Sequence, residues 1–181
     1  MTVLLLIAGC DLFRTRDAEP PDSGRGSWET PRVPMDVLDN MSSALFERNT
    51  VNYLRSFGVE AFVFEADPVA LARDATLGDW TYDDESQHAA KLFSEGTLPS
   101  DSLFYVVFAG AEETILGDSA EIHVDYDLTA GVALAGVPHR VAGRADFYLQ
   151  MGREGYWQIT RWRDNRTEDV STWSDFKSLV R

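Results

Sequence analysis

The stretch RADFYLQMGREGYWQITRWRD, Arg144 to Asp164, decides how the rest of the chain is read. It predicts a β-hairpin: a strand, the turn Gly152-Arg153-Glu154-Gly155, and a second strand rich in aromatic and β-branched residues. Side chains alternate faces along a strand. Ala145, Phe147, Leu149 and Met151 therefore share one face, and Arg144, Asp146, Tyr148 and Gln150 the other. On the second strand Trp157 and Ile159 have one parity, while Tyr156, Gln158, Thr160 and Trp162 have the opposite one. A sheet with one apolar face must bury it against another layer, and earlier segments can supply that layer.

Upstream of the hairpin the pattern stays β as far as Leu103. AEIHVDYDLT, Ala120 to Thr129, sets Ile122, Val124, Tyr126 and Leu128 against Glu121, His123, Asp125 and Asp127. LFYVVFA, from Leu103, is a continuous apolar strand that Glu112 to Leu116 extends past a bend, with Gly117-Asp118 as a turn. Further upstream the period changes to helical. Met35 to Arg48 spaces Leu38, Met41 and Leu45 on one face, with Pro34 in the first turn and Asn49 as the expected left-handed stop. VNYLRSF, residues 51–57, reads as a short helix ended by Gly58, and AFVFEA, Ala61 to Ala66, as a strand ended by Asp67-Pro68. After a loop, Thr81 with Asp84 resembles a capping box opening a helix whose inner face is Ala89, Leu92 and Phe93. The tail TWSDFKSLV, residues 172–180, is a closing element anchored by Trp173, Phe176 and Leu179.

The chain has 181 residues, 44% of them hydrophobic, which is enough for one domain with a real core plus an appendage. Its net charge of −14 and the absence of a basic stripe exclude a nucleic-acid role. A single cysteine, Cys10, excludes an intramolecular disulfide. It ends the short apolar run VLLLIAG, Val3 to Gly9, which is too short to span a bilayer and suits the core of a signal peptide.

Ile7-Ala8-Gly9-Cys10 resembles the bacterial lipobox, in which the signal is cleaved before a cysteine that becomes acylated. The resemblance implies a signal peptide over residues 1–9 and a lipidated Cys10. It also implies a lipid anchor on the periplasmic or extracellular face of a bacterial membrane. The region before the apolar run is only Met1-Thr2 and lacks the usual Lys or Arg, so the true start can lie upstream. Residues 10–34, mixing charge with Pro, Gly and Ser, read as a flexible tether, with Trp28 as the first residue to dock on the domain.

Residues 35–181 are similar to the nuclear transport factor 2-like fold, a cone shared by SnoaL-like cyclases and ketosteroid isomerase within the cystatin-like superfamily. ALFERNTVNYLRSF before AFVFEADP, and GRADFYLQ…GYWQITRWRD at the end, carry the resemblance. It implies an α+β fold in which a curved antiparallel sheet wraps around N-terminal helices. It also implies three functional classes: a tethered module binding a small apolar ligand or a protein, a SnoaL-like lyase, isomerase or hydrolase, or an interaction domain with a filled cone. Among relatives, the chain looks most like secreted lipoproteins of unknown function, which favours a binding or interaction role over an enzyme.

Asp67 is the nearest match to the family's general base, although Asp-Pro at a strand end is also ordinary turn chemistry. Tyr53, Phe64, Trp80, Tyr126 and Trp157 are the aromatic candidates for lining a pocket, and the inner faces are expected to be otherwise apolar. His123, Asp125 and Asp127 stand at a spacing that a metal or proton-transfer site would use. Strand parity instead turns them away from the helices, toward cross-strand pairing with Arg144 and Asp146. His88 sits on an acidic helix without a partner at ligand spacing. No metal or cofactor motif is present. Tyr148, Tyr156 and Trp162 are expected together on the outer sheet face, as the contact surface of a homodimer, unless a bulge at Arg161 turns Trp162 inward.

Overall fold

The computed structural model describes residues 27–181. Cys10, the apolar run before it and most of the tether lie outside the described residues. The first elements are helix α1 (Pro34–Glu47) and helix α2 (Thr50–Leu54), followed by strand β1 (Val63–Glu65). Helix α3 (Pro68–Arg73), a 3-10 turn at Ala75–Leu77, strand β2 (Trp80–Thr81) and helix α4 (Tyr82–Leu92) come next. Four strands then run β3 (Phe104–Leu116), β4 (Ser119–Ala130), β5 (Arg140–Met151) and β6 (Trp157–Asn165), and helix α5 (Trp173–Leu179) closes the chain.

One six-stranded sheet has the order β2-β1-β6-β5-β4-β3. It is antiparallel except where β1 runs parallel to β6, so the curved sheet is mixed. The α+β architecture expected from the sequence is therefore the one observed. The apolar parity of β4 and β5 is buried, including Ile122, Val124, Leu128, Ala145 and Phe147, and α1 lies against that side with Val37, Leu38, Met41 and Leu45. Ser42 Oγ on α1 donates to the Val106 carbonyl at 3.2 Å, which ties helix to sheet.

Several local readings change. Arg48, not Asn49, takes the left-handed conformation that ends α1 (φ 55°). Asn49 instead starts α2, its side chain accepting from the Asn52 amide at 3.0 Å. The segment after Asp67-Pro68, expected as a loop, opens with α3, because Asp67 Oδ1 accepts from the amides of Val69 and Ala70. In α5, Leu179 is exposed, and the buried stripe is Trp173, Phe176, Lys177 and Val180.

The bulge in β6 matters most. Tyr148 pairs with Arg161 but Leu149 pairs with Ile159, so one extra residue stands in β6. The insertion reverses parity: Trp157 and Ile159 point inward before it, and Trp162 and Asp164 point inward after it. Trp162 is fully buried, which removes it from the proposed outer aromatic face.

Among the described residues, contact with the domain begins at Ser27, one residue before Trp28, with Ser27 N donating to Glu47 Oε1 at 2.9 Å. Trp28 meets Tyr156 edge-on at 6.3 Å, and the Arg55 guanidinium lies 4.8 Å from the Trp28 ring. The Glu29 backbone exchanges two hydrogen bonds with the Asn40 amide, and the Pro31 carbonyl accepts from Trp157 N at 3.2 Å. The last residues of the tether thus belong to the packed domain.

Candidate functional site

The inner face of α4 carries more than its apolar residues. Thr81 and Asp84 start the helix as expected, with Asp84 Oδ2 accepting from Thr81 N at 2.9 Å. Helical spacing then places Glu85 and His88 on the same inward side as Ala89 and Leu92. Facing them from α5 is Lys177, and Glu85 and Lys177 both have no solvent exposure.

Three donors converge on the Glu85 carboxylate. Tyr53 Oη donates to Oε1 at 2.5 Å, Trp80 Nε1 donates to Oε2 at 2.7 Å, and the Lys177 ammonium forms an ion pair with Oε2. No acceptor faces it, which fits an ionised carboxylate that can only accept. Around the ammonium stand three rings: Phe64, Trp80 and Trp162 have centroids 4.9, 5.0 and 4.9 Å from Nζ. Desolvation pushes the Glu85 carboxyl up, but Lys177, His88 and Tyr53 together hold it below its ordinary value. Burial likewise draws the Lys177 ammonium down, with Glu85 opposing. An ion pair at neutral pH follows, since each partner is the main support of the other's charge.

His88 fixes the far end of α5. Its Nδ1 lies 2.7 Å from the Val180 carbonyl, so Nδ1 carries the proton and donates, leaving Nε2 as an acceptor without a partner among the described residues. Burial and the Lys177 charge lower the imidazole to about 4, so the ring is neutral at physiological pH. The near end of α5 is held by Asp164, which accepts from Tyr126 Oη at 2.6 Å, Ser174 N at 2.7 Å and Ser174 Oγ at 2.5 Å. Tyr126 Oη in turn accepts from Trp173 N at 2.8 Å. Burial pushes the Asp164 carboxyl up, the hydrogen bonds opposing. Gly143 makes room for this contact, because a Cβ there would stand 2.7 Å from Tyr126 Oη. Glu85, His88 and Asp164 thus all serve to seat the chain's own C-terminal helix.

The expectation of an apolar interior is corrected by Glu85, His88, Asp164 and Lys177. For Glu85, His88 and Lys177 the signal was present in the spacing: residues 85, 88, 89 and 92, and residues 173, 176, 177 and 180, are helical stripes in which polar members share the apolar face, whereas Asp164 is turned inward only by the bulge in β6. Of the aromatic candidates, Tyr53, Phe64 and Trp80 come together at Glu85 and Lys177, Tyr126 joins the Asp164 network, and Trp157 packs elsewhere in the core. Asp67 is buried but caps α3 and pairs with Arg166 at 3.1 Å, the turn chemistry of the alternative reading. An open groove of about 440 Å³ runs along β1 and β2, bordered by Leu71 and Leu77, and a smaller one of about 140 Å³ is lined by Trp80, Asp84, His88 and Arg181.

Outside the sheet, His123 Nδ1 lies 2.6 Å from Asp146, and Arg140 makes two 3.0 Å contacts from Nε to Asp127. The His123–Asp146 pair is the one expected from parity, whereas Arg144 lies 3.5 Å from Glu112 of β3 and Asp127 takes Arg140 in its place. Among the described residues, no three His, Cys, Asp or Glu side chains gather as a metal site, and no helix is long and apolar enough to cross a membrane.

No family model matches the sequence, and no curated protein matches it. Solved structures do match by shape. A nuclear transport factor 2-like protein from Cytophaga hutchinsonii aligns over 73% of this chain and 93% of its own, with a TM-score of 0.55 and 10% identity. A nuclear transport factor 2-like superfamily protein from Salmonella enterica serovar Typhimurium aligns over 74% and 89%, with a TM-score of 0.54 and 14% identity. A Nostoc punctiforme protein of unknown function with a cystatin-like fold aligns over 75% and 90%, with a TM-score of 0.51 and 10% identity. At such identities the likeness is one of fold.

Proposed function

We propose that this chain is a lipid-anchored envelope protein whose nuclear transport factor 2-like domain acts as an interaction module through its outer surface, not as an enzyme working in its cone. One observation supports the non-enzymatic reading: the centre of the cone is filled by α5, whose Lys177 neutralises the buried Glu85. A general base must reach a substrate with a free lone pair. Glu85 is held by Tyr53, Trp80 and Lys177, and Asp67 Oδ1 is taken by the start of α3 and by Arg166. The anchor is supported by Ile7-Ala8-Gly9-Cys10 after the apolar run. A second copy is the partner we favour, placed on the face where Tyr105 and Val107 of the edge strand β3 stand exposed beside Leu103. Tyr148 is covered there by the Arg161 guanidinium at 3.8 Å.

Two measurements test this reading. Palmitate labelling and membrane fractionation should both be lost on Cys10→Ser, and an unchanged membrane fraction would reject the anchor. Titration of the folded protein with the apolar dye 1-anilinonaphthalene-8-sulfonate should show no saturable site. Saturable binding that quenches tryptophan emission would instead restore the cone as a ligand site.

A further inference from the structure

The walls around the Lys177 ammonium come from five elements, none of them the helix that supplies the ammonium. Tyr53 is on α2, Phe64 on β1, Trp80 on β2, Glu85 on α4 and Trp162 on β6. Together they make one carboxylate and three ring faces at nearly equal distance from a single point. Ring faces attract cations through their quadrupole, most strongly where water is excluded, and the carboxylate adds a charged hydrogen-bond acceptor. Meanwhile α5 is seated by contacts that do not involve Lys177: Trp173 N on Tyr126, Ser174 on Asp164, and the Val180 carbonyl on His88.

We propose that Glu85 with the rings of Phe64, Trp80 and Trp162 is a binding site for a primary alkylammonium, and that Lys177 is its resident occupant. The ligand class follows from the geometry. The pairing oxygen of Glu85 needs an N–H donor, so a primary ammonium is preferred over a quaternary one. The stem runs between apolar rings, so the carbon chain is short and unbranched. Truncating Lys177 to alanine removes three methylenes and the nitrogen, which is the skeleton of n-propylammonium. With α5 still seated at both ends, the space left has the shape and charge preference of that ion.

The experiment uses the full chain with Lys177→Ala and follows the melting midpoint against n-propylammonium chloride, with sodium chloride at equal ionic strength as the reference. A saturable rise is expected for the variant and none for the wild type, whose own lysine holds the site. Tetramethylammonium should bind roughly tenfold more weakly, lacking the N–H. Adding Glu85→Gln should weaken propylammonium binding by about the same factor, since it removes the charge from the acceptor. Lys177→Met fills the stem's space and should not respond. Equal responses from wild type and Lys177→Ala, or undiminished binding in the double variant, would overturn the proposal. If Lys177→Ala is unfolded in buffer, recovery of its far-ultraviolet circular dichroism on adding propylammonium supports the site, and no recovery overturns it.

Discussion

Two clusters, each built from acid, base and histidine, lie on opposite sides of one sheet and have opposite physics. Inside, Glu85, Lys177 and the neutral His88 have almost no exposure, and the charges of Glu85 and Lys177 depend on each other. Outside, His123 pairs with Asp146, and Arg140 with Asp127, where the latter two side chains are 65% and 43% exposed. Water and salt screen the outer set, so its pairs order the surface without deciding whether the domain folds. The inner set has no solvent to fall back on. Removing one member there leaves a bare charge in an aromatic interior. The lesson is that residue identity says little about consequence until the face is known.

Removing one inner charge at a time carries the largest cost. Glu85→Gln or Lys177→Met should each destabilise the domain by about 3–5 kcal/mol in urea unfolding, because each strands its partner. The double variant should recover much of that loss, as buried pairs often tolerate joint replacement by neutral groups. Simple additivity of the two losses would mean that the charges are not coupled and that the contact is incidental.

Acidity tests the inner set next. The folded pKa of His88, about 4, lies below its unfolded value of 6.5, so the unfolded chain binds more protons between those values. The contribution is fully present above pH 6.5 and is lost as pH falls toward 4, amounting to about 3 kcal/mol. Burial, with the Lys177 and Arg181 charges, holds the ring neutral, and Glu85 and the Val180 carbonyl oppose them. His88→Asn keeps a donor for the Val180 carbonyl and cannot titrate. Its stability should fall less than the wild type's across that window, and an identical pH profile would remove His88 as the sensitive group.

Gly143→Ala probes the other seat of α5. The new Cβ would meet Tyr126 Oη at 2.7 Å, in a position backed by the Asn165 carbonyl at the same distance. A loss of about 1–3 kcal/mol is expected from crowding. Tyr126→Phe combined with Gly143→Ala should suffer less from that crowding than Gly143→Ala on a Tyr126 background, although it leaves Trp173 N and Asp164 short of a partner. A milder effect of Gly143→Ala than of a surface glycine change would show that Tyr126 moves freely.

The outer face was legible from alternation alone: Ile122 to Leu128 against Glu121 to Asp127 is a period of two with no interruption, and β4 and β5 follow it. The capping box of α4 was legible for a like reason, resting on neighbours in sequence. Trp162 was legible only as one of two alternatives, because a one-residue bulge leaves no mark in composition and yet inverts every later side chain. The inner cluster was hidden by a different cause. Glu85 looks like an ordinary acid in a helix's first turn, and Lys177 like an ordinary base in a last turn, both favourable to the helix dipole. Only their distance of 92 residues in sequence, closed by the fold, shows that they answer each other.

The smallest expected effect completes the comparison from the outside. His123→Asn and Asp146→Asn each remove one half of a 2.6 Å contact on the convex face, where the two side chains are 34% and 16% exposed. Glu121 also lies 3.8 Å from the His123 ring, so the imidazole has a second acid near it, and Asn165 Nδ2 donates to Asp146 at 2.9 Å, so the carboxylate has a second donor. Each partner therefore keeps solvent or a neighbour when the other is removed. Loss of either should change urea stability by no more than about 0.5 kcal/mol, an order of magnitude below the inner pair. High salt should shrink even that difference, while leaving the Glu85–Lys177 coupling intact. A change of several kcal/mol at His123 would mean that the outer ladder is sequestered from water, as it would be beneath a second copy. Repeating the measurement at low micromolar and high micromolar protein then separates a folded-state effect from an interface, because only the interface makes the loss depend on concentration.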